Sequence, residues 1–386
     1  MPSLRRIILC VTVAMLGASA ASAQNVRTLR LPRGAIQPQV AVDDNGAIDL
    51  IYFYGEPRHG DLFFVRWNDG VGDFKSAIKI NQNPQSAIAI GNIRGAHLAV
   101  GRDNRVHVAW MGSDRAQPKA PGGKPPMLYT RLDDSGKAFE RERNVITTNV
   151  GLDGGGSLAA DRDGNVYVVW HAPTLGQKGE ANRRVWVAHS RDDGQLFEPE
   201  QPAFGEPTGC CGCCGMRAMA DDEGTLLILY RSAAEQVHRD MHLLTSTNEG
   251  QTFRGVKIAD WNVSHCVMST ASLACDLNGP LAAWETDGQV FYARVDSQSG
   301  RGGKPIAAPG ATGKRKHPVV AANGEGEVVL AWTEGMGWEK GGSVAWQVFD
   351  AEGRPLPGGR GQAEGVPVWS LVAACTQPDG EFVLIY

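Results

Sequence analysis

Past its first two dozen residues the chain has no apolar run near the ~18 residues a membrane-spanning helix requires, which excludes a helical anchor there. It also has no surplus of positive charge. Its 38 Lys and Arg stand against 42 Asp and Glu, for a formal net charge of -4 at pH 7, which gives no electrostatic reason to bind nucleic acid or insert into an anionic membrane. Sustained helical periodicity is missing, whereas 48 Gly and 21 Pro are present in 386 residues, so turns are many and long helices few. His97, His107 and His171 form no His-x-x-x-His spacing, which argues against a zinc hydrolase. No His follows the second Cys of either Cys-x-x-Cys pair, so a c-type haem is excluded.

What the chain does have begins with Arg5 and Arg6 before the apolar run 7–16, followed by Ala21-Ser22-Ala23. This is the pattern of a secretory signal peptide, expected to end at Ala23 and leave a mature chain from Gln24. Cys10 lies inside the apolar run and not at the cleavage point, which disfavours a lipoprotein anchor. The expected organisation is therefore a removed signal over 1–23 and a single exported domain over 24–386, periplasmic or extracellular. Loss of Arg5 and Arg6 takes the formal charge to -6, and loss of Cys10 leaves seven of the 8 cysteines. In an oxidising compartment an odd count implies a free thiol, a metal ligand or an intermolecular bridge.

Self-similarity decides the fold. A small residue, one or two acidic or polar residues, a Gly or Asn turn and a β-branched run ending in an aromatic recur from Val40, Leu98, Leu158 and Ala218, with weaker copies from Ser272, Val319 and Leu371. The starts are 58, 60, 60, 54, 47 and 52 residues apart, which is the length of a propeller blade. Each copy reads as an inner strand of small residues, a tight turn and a second strand alternating apolar and polar residues. The fold class is all-β, a β-propeller of four-stranded antiparallel blades, with seven blades from the count and six as the alternative. The chain stops after the second strand of the last copy, and Val26 to Leu31 is placed to supply a further strand there.

After four copies a second hairpin follows. The last two read as Ser190, Asp192, Gly194 and Phe197, and as Ser246, Asn248, Gly250, Thr252 and Phe253. They resemble the Asp-box of sialidases, Ser-x-Asp-x-Gly-x-Thr-Phe/Trp, and with the blade length the chain resembles the sialidase superfamily over residues 40–386. In that family the acidic side chain and Gly fix a turn away from the catalytic face, and the aromatic packs between sheets, so these positions are expected to be structural.

Antiparallel order alone places the connections between blades, and those between second and third strands, on one face. They carry Arg94, Asp153, Arg217, His317, Arg239, Glu285, Glu334 and Trp338, and irregular loops on a regular scaffold are where binding usually resides. The resemblance implies an arginine cluster gripping a carboxylate, a Tyr nucleophile paired with a Glu, and an Asp acid/base in glycoside hydrolysis. On this sequence it points to Arg94, Arg217 and Arg239 for the substrate, Asp153 beside the flexible run Gly154 to Gly156 as the acid/base, and Glu285 or Glu334 as the supporting carboxylate. The chain departs from the pattern at two points. Leu31-Pro32-Arg33 stands where an Arg-Ile-Pro segment is expected, and no Tyr lies on a late inter-blade loop; Tyr230 and Tyr292 fall within strands. His317 faces the loop from Trp332 to Trp338, whose Trp338 offers a face to a sugar ring or packs on a neighbouring loop.

Cys210-Cys211-Gly212-Cys213-Cys214 precedes the fourth inner strand, and Cys266 occupies the same place before the fifth. Neighbouring blades bring these segments together, so Cys211, Cys213, Cys214 and Cys266 read either as a disulfide, with Cys213 or Cys214 paired to Cys266, or as a thiolate site for a soft ion such as Cu(I). Cys275 and Cys375 sit in inner-strand repeats and are expected in the core. No cofactor is required by the fold. The readings are a ligand-binding propeller taking a glycan, small molecule or partner protein, a sialidase-like hydrolase, and a soft-metal or redox site.

Overall fold

The computed structural model describes residues 26–311 and 313–386; the segment read as a signal peptide and the expected start at Gln24 lie outside them. Seven sheets stand around one axis, six with four strands and one with three. Their inner strands are Ala35–Val42, His97–Val100, Gly156–Ala160, Arg217–Ala220, Ser272–Asp276, Arg315–Ala322 and Ala373–Thr376. The molecule is thus a seven-bladed propeller, blades 1 to 7 in that order, and six blades are excluded. The last blade takes its third strand, Val26–Leu29, from the start of the described chain, paired parallel to Phe382–Ile385, so the ring is closed by the segment the sequence offered for it.

A propeller has no single centre of burial. Each pair of adjacent blades encloses its own apolar cluster, and the four tryptophans that end the second strands lie in four of them: Trp110, Trp170, Trp284 and Trp332. Each is at most 2 % exposed, and a buried Trp removes roughly 150–250 Å² from water, worth on the order of 4–6 kcal/mol of transfer free energy. The apolar–polar alternation of the second strands does not correspond to an alternation of burial. Val106–Met111 and Leu226–Arg231 are buried at every position, because both faces of a blade are covered by its neighbours. Some polar residues of these strands are buried with partners, whereas both ring nitrogens of His171 lack a hydrogen-bond partner. The Asp49 carboxylate accepts from Arg66 Nε and Nη2 at 2.7 Å each, and His107 Nδ1 lies 2.7 Å from the Tyr129 hydroxyl.

The inner strands of blades 1 and 6 share an irregularity. Both carry a register shift at an X-Pro pair, Gln37-Pro38 and His317-Pro318, and Gln37 and His317 have φ of 55° and 52°. The bulge turns each side chain away from the ladder. Cys375 is buried as expected, but Cys275 is exposed. It stands at the turn end of its strand, where the carboxylates of Asp221, Asp222 and Asp276 surround it.

The two outer hairpins have the same hydrogen bonds. Ser190 Oγ accepts from the Gly194 N–H (2.9 Å) and Asp192 Oδ1 from the Leu196 N–H (2.9 Å); Ser246 Oγ accepts from Gly250 (3.0 Å) and Asn248 Oδ1 from Thr252 (3.0 Å). Gly194 and Gly250 adopt φ of 77° and 73°, the left-handed region where Gly carries no side-chain penalty. Phe197 packs edge-on to Tyr129 at 4.7 Å across the blade boundary, and Phe253 lies against the cluster between blades 3 and 4. Asp192→Ala removes the acceptor for both the Ser190 hydroxyl and the Leu196 N–H and is expected to cost about 1–2 kcal/mol, read as a lower urea midpoint with the native fold retained.

Candidate functional site

Three inter-blade loops meet at one mouth of the axis, and glycine is what lets them meet. A Cβ on Gly154 would stand 2.5 Å from the Gly212 carbonyl oxygen and 2.6 Å from His171 Nε2. One on Gly155 would stand 2.6 Å from the Ile93 carbonyl oxygen. The run 154–156, expected to be a flexible turn, is instead a tight contact between the loops around Ile93, Asp153 and Gly212.

This contact places Asp153 between two guanidinium groups. Its Oδ1 accepts from Arg94 Nη2 and its Oδ2 from Arg183 Nη2, each at 3.0 Å, while Arg94 Nε donates to its carbonyl at 2.6 Å. Burial pushes the Asp153 carboxyl up, but the Arg94 hydrogen bond and the charges of Arg183 and Arg94 outweigh it, and the group sits below its ordinary value. An acid/base would need the opposite tuning.

Arg183 also reaches Glu180 Oε1 (3.4 Å), whose Oε2 pairs with Arg239 Nη2 at 2.8 Å and whose Oε1 accepts the Gly212 N–H at 2.6 Å. Arg239 thus pairs with Glu180, while its neighbour Asp240 takes Lys257. Glu180 and Arg183 were missed from sequence. Their only signal was the length of the loop between the second and third strands of blade 3.

Arg217 lies deeper, on the axis. Its Nη1 donates to Gln39 Oε1 and contacts His97 Nδ1, both at 2.7 Å. Burial pushes its pKa down to about 10. A cavity of about 10 Å³ beside it is lined by Gln37, Asn92, His97 and Thr270 among others, room for about one water.

The remaining sequence candidates divide by access to solvent. Glu285 is 1 % exposed and accepts the Gly288 N–H at 2.7 Å, and burial raises its pKa. His317 is 4 % exposed, its inner-strand bulge turning it into the protein. Glu334 is tied to Arg315 Nε (3.3 Å) and the Trp332 indole N–H (2.8 Å). Trp338 is 55 % exposed. It meets Trp369 edge-on at 5.8 Å and overhangs Gly91, where a Cβ would stand 3.6 Å from Trp338 Cζ3 and 2.8 Å from Arg94 Nη1. Trp338 and Arg94 therefore share the mouth. The loop that carries Trp338 also borders an open groove of about 600 Å³ lined by Lys340, Ser343 and Glu364. His238 and His242 do have the i, i+4 histidine spacing, but His238 bonds Asn262 (2.7 Å) and His242 packs on Tyr230.

Cys211, Cys213 and Cys214 bring their sulfurs within 4.8 Å of one another. Cys211 Sγ lies 3.3 Å from both of the others, well beyond a disulfide bond of ~2.05 Å, and all seven described cysteines are free thiols. Cys266 comes from the next blade to stand against Cys213. Hydrogen bonds from Cys211, Cys214 and Cys266 push the Cys213 thiol down. Ala233, Val267, Val263 and Trp261 enclose the cluster, and the Arg231 guanidinium lies 5.0 Å over the Trp261 ring.

No family model and no curated protein matches this chain. Solved structures do. A Dyadobacter fermentans protein of unknown function aligns at TM-score 0.56 and 14 % identity over 81 % of this chain and 93 % of that one. A Penicillium chrysogenum α-L-arabinanase complexed with arabinobiose aligns at 0.50 and 12 %, covering 83 % of this chain and 95 % of that one. Trypanosoma rangeli sialidase with the inhibitor DANA aligns at 0.52 and 11 % over 80 % of this chain. The fold is sialidase-like. At these identities the likeness is one of architecture, and the chain covers 55 % of the Trypanosoma sialidase. Among the described residues of this sialidase-like propeller no helix is long and apolar enough to cross a membrane.

Proposed function

We propose that this chain is an exported, non-catalytic sialidase-like propeller that binds a carbohydrate at the mouth shared by Trp338 and Arg94. The observation that carries the reading is the exposed Trp338 indole, braced edge-on by Trp369 beside a guanidinium. A fixed aromatic face takes the apolar C–H face of a sugar ring without ordering a flexible side chain, and the Arg94 N–H groups not engaged by Asp153 and Ile90 supply donors to its hydroxyl oxygens. The fold relatives include a sialidase and an arabinanase seen with arabinobiose, which supports a sugar as the ligand class.

Binding without turnover follows from the charges. Arg94 and Arg183 already grip Asp153, and Arg239 already grips Glu180, so the forks that would hold a substrate carboxylate are occupied. Asp153 is kept ionised by the same contacts, and Glu285 is sealed from solvent. Titration calorimetry with arabino-oligosaccharides and sialyllactose is expected to show saturable binding that Trp338→Ala weakens tenfold or more, about 1.4 kcal/mol, with no sugar released on incubation. Equal binding by the variant removes the proposal. Turnover of a sialoside that Asp153→Asn abolishes replaces it with a hydrolase.

A further inference from the structure

The carbohydrate reading leaves the cysteine cluster unused. From the convergence of the sulfurs of buried Cys211 and Cys214 with that of half-buried Cys213 beside an apolar cluster we infer that these three residues form a site for one Cu(I) ion, with Cys266 of the neighbouring blade at its open side. Metal–sulfur bonds of about 2.3 Å set sulfurs around a common ion roughly 3.8–4 Å apart. The three sulfurs here already lie within 4.8 Å of one another, two of the pairs at 3.3 Å. Opening those pairs by about 0.5–0.7 Å brings them to the spacing that a common ion sets.

The chemistry of the donors selects the ion. Thiolates are soft ligands that favour Cu(I). Among the described residues three sulfurs lie within 4.8 Å of one another while Cys266 stands against Cys213 at the edge of the set, a three-coordinate arrangement that falls short of the closed tetrahedral set of a structural zinc site. Cys211 and Cys214 are 2 % and 4 % exposed, whereas Cys266 is open to solvent, which gives the ion a dry seat and one side for exchange. Ala233, Val267 and Trp261 line the cluster with apolar surface, and such a shell limits solvent access to a metal site.

The loop geometry explains why the cysteines are adjacent in sequence. Cys211 N donates to the Arg231 carbonyl (2.9 Å), Gly212 N to Glu180 and Gly215 N to the Ser269 carbonyl (3.0 Å). The backbone is thereby pinned on either side of the thiols to blades 3, 4 and 5. Binding needs no electron transfer. Cu(I) enters as Cu(I), each sulfur that coordinates gives its proton to solvent, and affinity therefore rises with pH.

The test uses the full mature chain, reduced and then freed of reductant under anaerobic conditions, titrated with Cu(I) against a chromophoric Cu(I) chelator. One ion per chain is expected, with only sulfur in the first coordination shell by X-ray absorption. Cys213→Ser and Cys214→Ser are expected to lose at least 100-fold in affinity, while Cys375→Ser, on blade 7, keeps it; circular dichroism reports whether each variant is folded. The inference is overturned by a reduced wild type that takes up less than half an equivalent, by Cys213→Ser binding as the wild type does, or by Zn(II) displacing Cu(I) at equal concentration. Its outcome is independent of glycan binding, which Trp338→Ala reads separately.

Discussion

Glu334→Gln is expected to lower the stability of the fold by about 3 kcal/mol while leaving ligand binding at the mouth unchanged. Arg315 is 2 % exposed and lies 4.9 Å over the Trp332 ring. Its other partners are neutral: Gln289 Oε1 (2.9 Å) and the carbonyls of Ala308 (3.0 Å) and Pro309 (2.9 Å). Glu334 is the carboxylate that balances it, at 3.3 Å. Removing one partner of such a pair leaves an uncompensated buried charge, which costs about 3–5 kcal/mol; the lower end applies because the Glu334 side chain is 31 % exposed. The same variant would behave in the opposite way if Glu334 worked as a supporting carboxylate in hydrolysis, since an amide isostere then spares the fold and removes turnover. An unchanged urea midpoint for Glu334→Gln sinks the structural assignment.

Mild acid is expected to be the second large destabiliser. Burial, and then the neighbouring Lys316 charge, push His317 down to about 3. His97, His107 and His171 are likewise lowered by burial. A histidine with a folded pKa near 3 and an unfolded one near 6.5 leaves the unfolded chain the better proton binder between those limits. Its contribution is complete above pH 6.5 and is lost as pH falls towards 3. For His317 alone the loss between pH 6.5 and 4.5 is about 2 kcal/mol, and the other buried histidines add with the same sign. Asp153, Asp193 and Glu200, whose carboxyls sit below their ordinary values, extend the loss to lower pH. Asp49 and Glu285, raised by burial, act in the opposite sense. Urea midpoints at pH 7.5, 5.5 and 4.5 are expected to fall steadily. His317→Asn, which tolerates the left-handed backbone at that position, is expected to flatten the slope by its share, and a midpoint independent of pH over this range contradicts the assignment.

Much of this was readable before any coordinates. The repeat of aromatic-ended strands pointed to seven blades with six left open, because each blade must bury both faces and repeats the same solution at nearly the same spacing. Val26 to Leu31 was legible as the closing element because the last copy ends two strands short. The clustering of inter-blade loops on one face also followed from antiparallel order, and Arg94 with Asp153, and Cys213 with Cys266, are neighbours as that order required. Three details were not readable. The burial of the polar members of the second strands was not legible, because alternation cannot distinguish water from a neighbouring blade's side chains. His317 was read as a loop residue on the shared face and belongs instead to a bulged inner strand, since a bulge before proline is visible only once the register is known. Glu180 and Arg183 sat in a long polar loop with no pattern to single them out.

The chain by itself determined the blade repeat, where the turns fall and which loops share a mouth, since those follow from local periodicity and from the alternating direction of successive strands, and the structure settled the count at seven. Only the tertiary structure decided that Asp153 is shared by Arg94 and Arg183 and that glycines 154 and 155 are steric necessities. Those facts depend on contacts between loops some 60 residues apart, whose separation is set by how seven wedge-shaped interfaces pack around an axis and by nothing in the local sequence.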